Sequence, residues 1–102
     1  MLQLRPNCEL CDKDLPPDST EAHICSYECT FCAHCVETVL HNVCPNCGGG
    51  FVKRPIRPAT AYRPGVSLHD DPPATERRHS KYSRQDIDAF VSRMRTIPAE
   101  KR

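Results

Sequence analysis

A small metal-stabilised domain, followed by a proline-rich linker and one C-terminal helix, is the architecture the sequence predicts. Three observations predict it. All eight cysteines of the 102-residue chain fall in its first half. That half holds too few apolar residues to fold by burial alone. After a long stretch without periodicity, a single helical stripe follows near the C-terminus, with a start signal and a stop signal.

The cysteines stand in the register Cys8-x2-Cys11-x13-Cys25-x3-Cys29-x2-Cys32-x2-Cys35-x8-Cys44-x2-Cys47. Zinc takes four soft ligands in a tetrahedron at about 2.3 Å, so four sulfurs must converge within about 4 Å of one another. A C-x-x-C turn delivers two of them at once. The other two can come from far along the chain, because loop closure costs only slowly more as the loop lengthens. Eight thiols make two closed sites, and Zn2+, two ions per chain, is the expected cofactor. An even cysteine count in a short chain also fits a disulfide framework. Residues Met1 to Asn7, however, contain no apolar core of a secretion signal, and a ligand cysteine already stands at position 8. The expected setting is therefore cytoplasmic and reducing, where clustered cysteines serve metals more often than disulfides. No stretch approaches the ~18 apolar residues of a membrane span, and the spacing does not match the close-set runs of iron–sulfur proteins.

The first element is the cysteine module, residues 1–55. Its expected core is Leu10, Leu15, Ile24, Tyr27, Phe31, Val36, Val39, Leu40 and Val43. So small a core needs metal to complete it, and structural zinc contributes roughly 10–16 kcal/mol of apparent folding free energy to small peptides. The module closes on Gly48-Gly49-Gly50, where backbone conformations closed to other residues become accessible. The second element, residues 56–82, carries Pro58, Pro64, Pro72 and Pro73 among polar residues and has no apolar period. It reads as linker or disorder. The third element, residues 83–102, opens on Ser83-Arg84-Gln85-Asp86, which resembles a capping box. Ile87, Phe90, Val91 and Met94 then fall at i, i+3, i+4 and i+7, and Pro98 stops the run, giving a helix over about 84–96. At this length its stripe needs a surface to lie on, either its own module or a partner's groove.

The near-neutral total charge conceals two opposed halves. Residues 1–50 carry a net −5 and residues 51–102 a net +6, and metal-bound thiolates make the first half more acidic still. An acidic module repels a phosphate backbone, so nucleic acid is not an expected partner. The basic half is free to fold back on the module.

Two pairings of the thiols satisfy the spacing. In the sequential one, Cys8, Cys11, Cys25 and Cys29 share one ion and Cys32, Cys35, Cys44 and Cys47 the other. In the interleaved one, Cys8, Cys11, Cys32 and Cys35 form site 1, and Cys25, Cys29, Cys44 and Cys47 form site 2. The run from Cys25 to Cys35 cannot close on one ion as a helix, because its ends would lie about 15 Å apart.

Beyond spacing, the register resembles the RING finger family across residues 8–47. The segment Cys29-Thr30-Phe31-Cys32-Ala33-His34-Cys35 looks like the family's ligand, aromatic and C-x-x-C run, and Cys44-Pro45-Asn46-Cys47 like its closing C-P-x-C. The resemblance implies a small zinc-stabilised α+β domain with a RING-like cross-brace and two zinc ions, and hence the interleaved pairing. Cys29 stands where the family more often has histidine, so both sites are all-cysteine. The whole chain is also similar to small, uncharacterised, cysteine-rich bacterial proteins of unknown function. The shared features are Leu4-Arg5-Pro6-Asn7-Cys8 at the start and Cys44-Pro45-Asn46-Cys47-Gly48-Gly49-Gly50 at the close.

Three functions fit the sequence. The first is a zinc-binding protein–protein interaction module with no catalysis of its own, its partner a protein and its second contact Ile87, Phe90, Val91 and Met94. The second is a RING-type ubiquitin ligase adaptor, the one sense in which the chain would count as an enzyme. The resemblance implies that Leu10, Val39 and Pro45 would hold the conjugating enzyme, but Gly48 replaces the basic residue that active members often carry. The third is a redox- or metal-responsive zinc protein. Eight cysteines leave no open coordination position of the kind catalytic zinc keeps, and no catalytic residues stand out. They also leave no vacancy for His23, His34 or His41, while His69 and His79 have no partner visible in the sequence.

Overall fold

The computed structural model describes residues 1–102. Three short strands form one antiparallel sheet in the order β2-β1-β3. β1 (Ala22–Ile24) and β2 (Thr30–Cys32) make a hairpin in register Ala22↔Cys32 and Ile24↔Thr30, and β3 (Val52–Lys53) lies on the other side of β1. β2 runs without a break into α1 (Ala33–Cys35), which widens at once into a π-helical turn, Val36–Leu40. His41 and Asn42 end that turn in the left-handed region, with φ of 46° and 63°.

The core sits between the sheet, this helical turn and the sulfurs. Leu15, Ala22, Phe31, Val36, Leu40 and Val43 are buried in it alongside six of the cysteines. Phe31, which is fully enclosed, packs edge-on against Phe51 with ring centroids 5.4 Å apart. Burying a side chain of that size contributes about 1.5–3 kcal/mol. Leu10 and Val39 are half-buried at its margin. Tyr27 departs from expectation, being 72% exposed. It lies in the tight Cys25–Cys29 loop and gives its backbone N–H to the Cys25 sulfur at 3.3 Å, so it serves the loop through its main chain.

α2 (Arg84–Met94) starts as its capping box predicts, with Ser83 Oγ accepting from the Asp86 N–H at 3.1 Å. It packs on its own module. Ile87 and Val91 join the module's core, and Phe90 and Met94 cover its edge. After α2 a short 3-10 turn, Ala99–Lys101, brings Arg102 back to donate to the carbonyls of Asn42 and Gly48.

Residues 56–82, expected as linker, contain no helix or strand, yet they are hydrogen-bonded to the module along their path. Arg57 donates to the Leu2 and Asp71 carbonyls, Ala74 N–H to Leu4 O, and Ser80 N–H to Glu9 O. Just before this stretch, Arg54 is 2% exposed and reaches three carbonyls, those of Arg5, Leu15 and Pro16, at 2.8–3.2 Å. Burial draws its guanidinium below the ordinary value. This buried cation pins the N-terminal loops to the sheet.

Candidate metal centre

The chain brings its cysteines together by means of two matching turns and one hairpin. In the first turn Cys8 N–H donates to Lys13 O at 2.9 Å and Asp12 N–H to Cys8 O at 2.9 Å. In the second, Cys44 N–H donates to Gly49 O at 2.8 Å and Gly48 N–H to Cys44 O at 2.7 Å. Both are the same C-x-x-C knuckle, closed by a left-handed residue: Asp12 at φ 66° in one and Gly48 at φ 83° in the other. Asp tolerates that region through its short polar side chain, and Gly enters it without steric cost.

The β1–β2 hairpin and the helix α1 that follows it supply the remaining four thiols. Cys25 and Cys29 bracket its closed loop, tied by Cys25 N–H to Cys29 O at 3.2 Å and Glu28 N–H to Cys25 O at 3.0 Å. Cys32 ends β2 and caps α1, its sulfur facing the Cys35 N–H at 3.5 Å. Cys29 and Cys32 are three residues apart on an extended strand, about 10 Å. Cysteines that neighbour each other in sequence are therefore sent toward opposite ends of the hairpin.

Cys8, Cys11, Cys32 and Cys35 form a group whose sulfurs all lie within 4.8 Å of one another, with Cys11 and Cys32 at 3.7 Å. Cys25, Cys44 and Cys47 form a second such group. Cys29 stands outside this tight triple, and Cys44 and Cys25 are the thiols that act on its ionisation. The two groups thus alternate along the chain. No histidine belongs to either. Four convergent thiols with no other chemistry among them are the donor set that a soft tetrahedral metal takes, and the eight cysteines are all free to supply it.

The thiols are electrostatically unequal. Burial pushes Cys8 and Cys35 up, and Cys25 up to about 11. Hydrogen bonding to the Cys44 thiol holds Cys29 down to about 5, and the same contact, followed by burial, raises Cys44. Cys11 is drawn down: burial opposes its ionisation, but the Lys13 backbone and the three neighbouring thiols outweigh it. Within each group the bare thiols share protons as a set. A bound cation stabilises the thiolate forms instead.

Three polar residues that the cysteine pattern does not reveal hold the two groups in relation. Glu9, inside the first knuckle and 6% exposed, accepts from the Thr30 N–H at 2.7 Å and from Asn46 Nδ2, inside the second knuckle, at 3.2 Å. The Arg5 guanidinium lies 3.3 Å from the same carboxylate. A carboxylate and an amide placed between ligand cysteines are the one sequence signal that could have marked them. Among the expected contact residues, Pro45 is buried and lines a groove of about 450 Å³ shared with Tyr82, Ile87 and Phe90 of the C-terminal segment. Ile87 and Val91 are 1% and 3% exposed, committed to the module itself.

A family model described as a protein of unknown function (DUF1272) matches residues 1–57, more than half of the chain and the whole of the knuckle-bearing module. An uncharacterized protein of Rhizobium meliloti (strain 1021) is 68% identical over 60 residues, covering 59% of this chain and 71% of that relative. No solved structure matches. No helix is long and apolar enough to cross a membrane.

Proposed function

The chain belongs to the DUF1272 family, and from the centre it builds we propose that it is a zinc-binding protein–protein interaction module with two structural zinc ions and no catalysis of its own. The observation that carries this reading is the pair of alternating sulfur groups. Cys8, Cys11, Cys32 and Cys35 would hold the first ion. Cys25, Cys44 and Cys47 would hold the second, with Cys29 adjacent to complete four ligands. When bound, zinc supplies the cross-links that so small a core lacks. Neither ligand set leaves the open position through which zinc acts as a catalyst. The RING-like order of the ligands supports a cross-brace. In that arrangement each ion joins segments distant in sequence, so the surface between the knuckles is rigid and suited to holding a partner.

Recruitment of a ubiquitin-conjugating enzyme fits the geometry less well. Pro45 is shared with α2, and Gly48 occupies a left-handed position beside the Phe90 ring. A metal- or redox-responsive role is favoured by one observation, the exposure of Cys11 and Cys47 to solvent. Native mass spectrometry of the purified chain is expected to show two zinc ions, and chelation to abolish the ordered circular dichroism signal until zinc is restored. One ion, four disulfides, or a fold indifferent to chelator would overturn the proposal. Reversible zinc release by dilute peroxide at physiological concentration would shift it to the responsive role.

A further inference from the structure

The acidic face of the first knuckle already holds a peptide, and the peptide is the chain's own. Residues 77–80 cross it without forming helix or strand. Asn7 is fully buried, yet its amide offers both its donor and its acceptor to the passing main chain: Nδ2 donates to Arg78 O at 2.8 Å, and Oδ1 accepts from the Arg78 N–H at 3.1 Å. Two residues on, the Ser80 N–H donates to Glu9 O at 3.0 Å, and Ser80 Oγ to Asn46 Oδ1 at 3.1 Å. The Arg77 guanidinium forks onto Asp12 at 2.8 Å and Asp14 at 2.7 Å, and His79 Nε2 lies 3.0 Å from Asp12. Main-chain hydrogen bonds with a side-chain fork at a fixed offset are how extended peptides are read.

Two features mark this as a docking site with an exchangeable occupant. All the receiving residues, Asn7, Glu9, Asp12, Asp14 and Asn46, lie within the family-matched segment 1–57, whereas the occupying residues lie outside it. The charged contacts are also open to water: Arg77 is 40%, Asp12 52% and Asp14 81% exposed. Ion pairs so exposed bind weakly and are screened by salt. α2 is anchored separately by Ile87 and Val91, so the strap can leave without unseating the helix.

We infer that this knuckle face is a recognition site for an extended, arginine-containing segment of a partner protein, which residues 77–80 occupy in cis and from which a partner must displace them. This names the partner chemistry of the interaction module proposed above and rests on that reading. The opposed charge of the two halves of the chain, net −5 and net +6, is the complementarity the site uses.

The test uses the full-length zinc-loaded chain and a fluorescein-labelled synthetic peptide with the sequence of residues 74–82, followed by anisotropy in 50 mM salt. Because the tethered strap competes at a high effective concentration, R77E is expected to bind the peptide at least tenfold more tightly than the unmodified chain. Adding D12N and D14N to R77E should cost at least tenfold, as should replacing the first arginine of the peptide by alanine. R77A, the milder strap variant, should fall between R77E and the unmodified chain. Equal binding by R77E and the unmodified chain, or binding unaffected by D12N/D14N, would overturn the inference. A strap-exchanged dimer of the unmodified chain, seen by light scattering, would also overturn it, making the occupant a second copy. Zinc is counted in every variant. Loss of zinc throughout would count against the metal reading, whereas full zinc with no peptide binding would count against this inference alone.

Discussion

Glu9 should couple the two metal groups, and its truncation is the most direct test of how the module is held together. Its carboxylate touches both sides of the centre: the Thr30 N–H, which lies between Cys29 and Cys32, and Asn46, between Cys44 and Cys47. In Glu9→Ala the Thr30 N–H, on a fully buried residue, loses its acceptor. An unpaired buried donor costs about 1–3 kcal/mol. Arg5, 9% exposed, keeps only Gln3 as a side-chain partner, and stranding one member of a buried pair costs about 3–5 kcal/mol. Asn46 is exposed and can turn to water, so it adds little.

These costs overlap rather than add, and about 3–4 kcal/mol is the reasoned total. If the module holds the two ions proposed above, its folding and metal loading are one equilibrium, and the loss should appear as weaker metal binding. At 1.4 kcal/mol per factor of ten, zinc affinity should fall by a factor of about 100–1000. Titration against a chromophoric chelator reads this directly. Both ions should be affected, although Glu9 lies in only one knuckle. Glu9→Gln keeps an acceptor for Thr30 but no charge for Arg5, so it should recover the Thr30 share of the loss and leave the Arg5 share. An alanine variant that binds both ions within threefold of the unmodified chain, or one that weakens only the site of Cys8 and Cys11, would refute the coupling.

Two further outcomes follow from α2 and from the second knuckle. Ile87→Ala removes a side chain that is 1% exposed and should cost about 2–4 kcal/mol of urea stability. Amide exchange should rise over Arg84–Met94 while the knuckles stay protected; unchanged exchange there would show that the helix does not depend on this face. Gly48→Lys places a Cβ at φ 83°, where L side chains are strained. The new Cβ would meet the Phe90 ring at 3.5 Å, an ordinary contact, so the expected cost of about 1–2 kcal/mol is backbone strain. Gly48→Asn, better suited to that region, should cost less in the same melt, and equal costs would place the penalty in packing instead.

The parts of this fold that were legible in the sequence are those in which a side chain does the structural work. Cysteines at ligand spacing announce metal groups, and Ser83 with Asp86 and the Ile87, Phe90, Val91 and Met94 stripe announce α2. What stayed hidden is carried by main-chain partners. Arg54 reads as one base among many in a basic half, because the three carbonyls it serves have no side-chain signature. The strap at 77–80 has no apolar period, since its contacts are an asparagine amide, backbone N–H groups and exposed charges. Tyr27 misled for the converse reason: its ring suggests core, but the loop uses only its N–H. The choice between pairings belongs to the same class. Spacing left it open, and geometrically it turns on one three-residue strand, β2, too short to notice and long enough to send Cys29 and Cys32 to opposite ends of the hairpin. In a chain with so small a core, the clustered cysteines say that the segments meet. The peptide groups between the ligands decide which segments meet and which surface they leave for a partner.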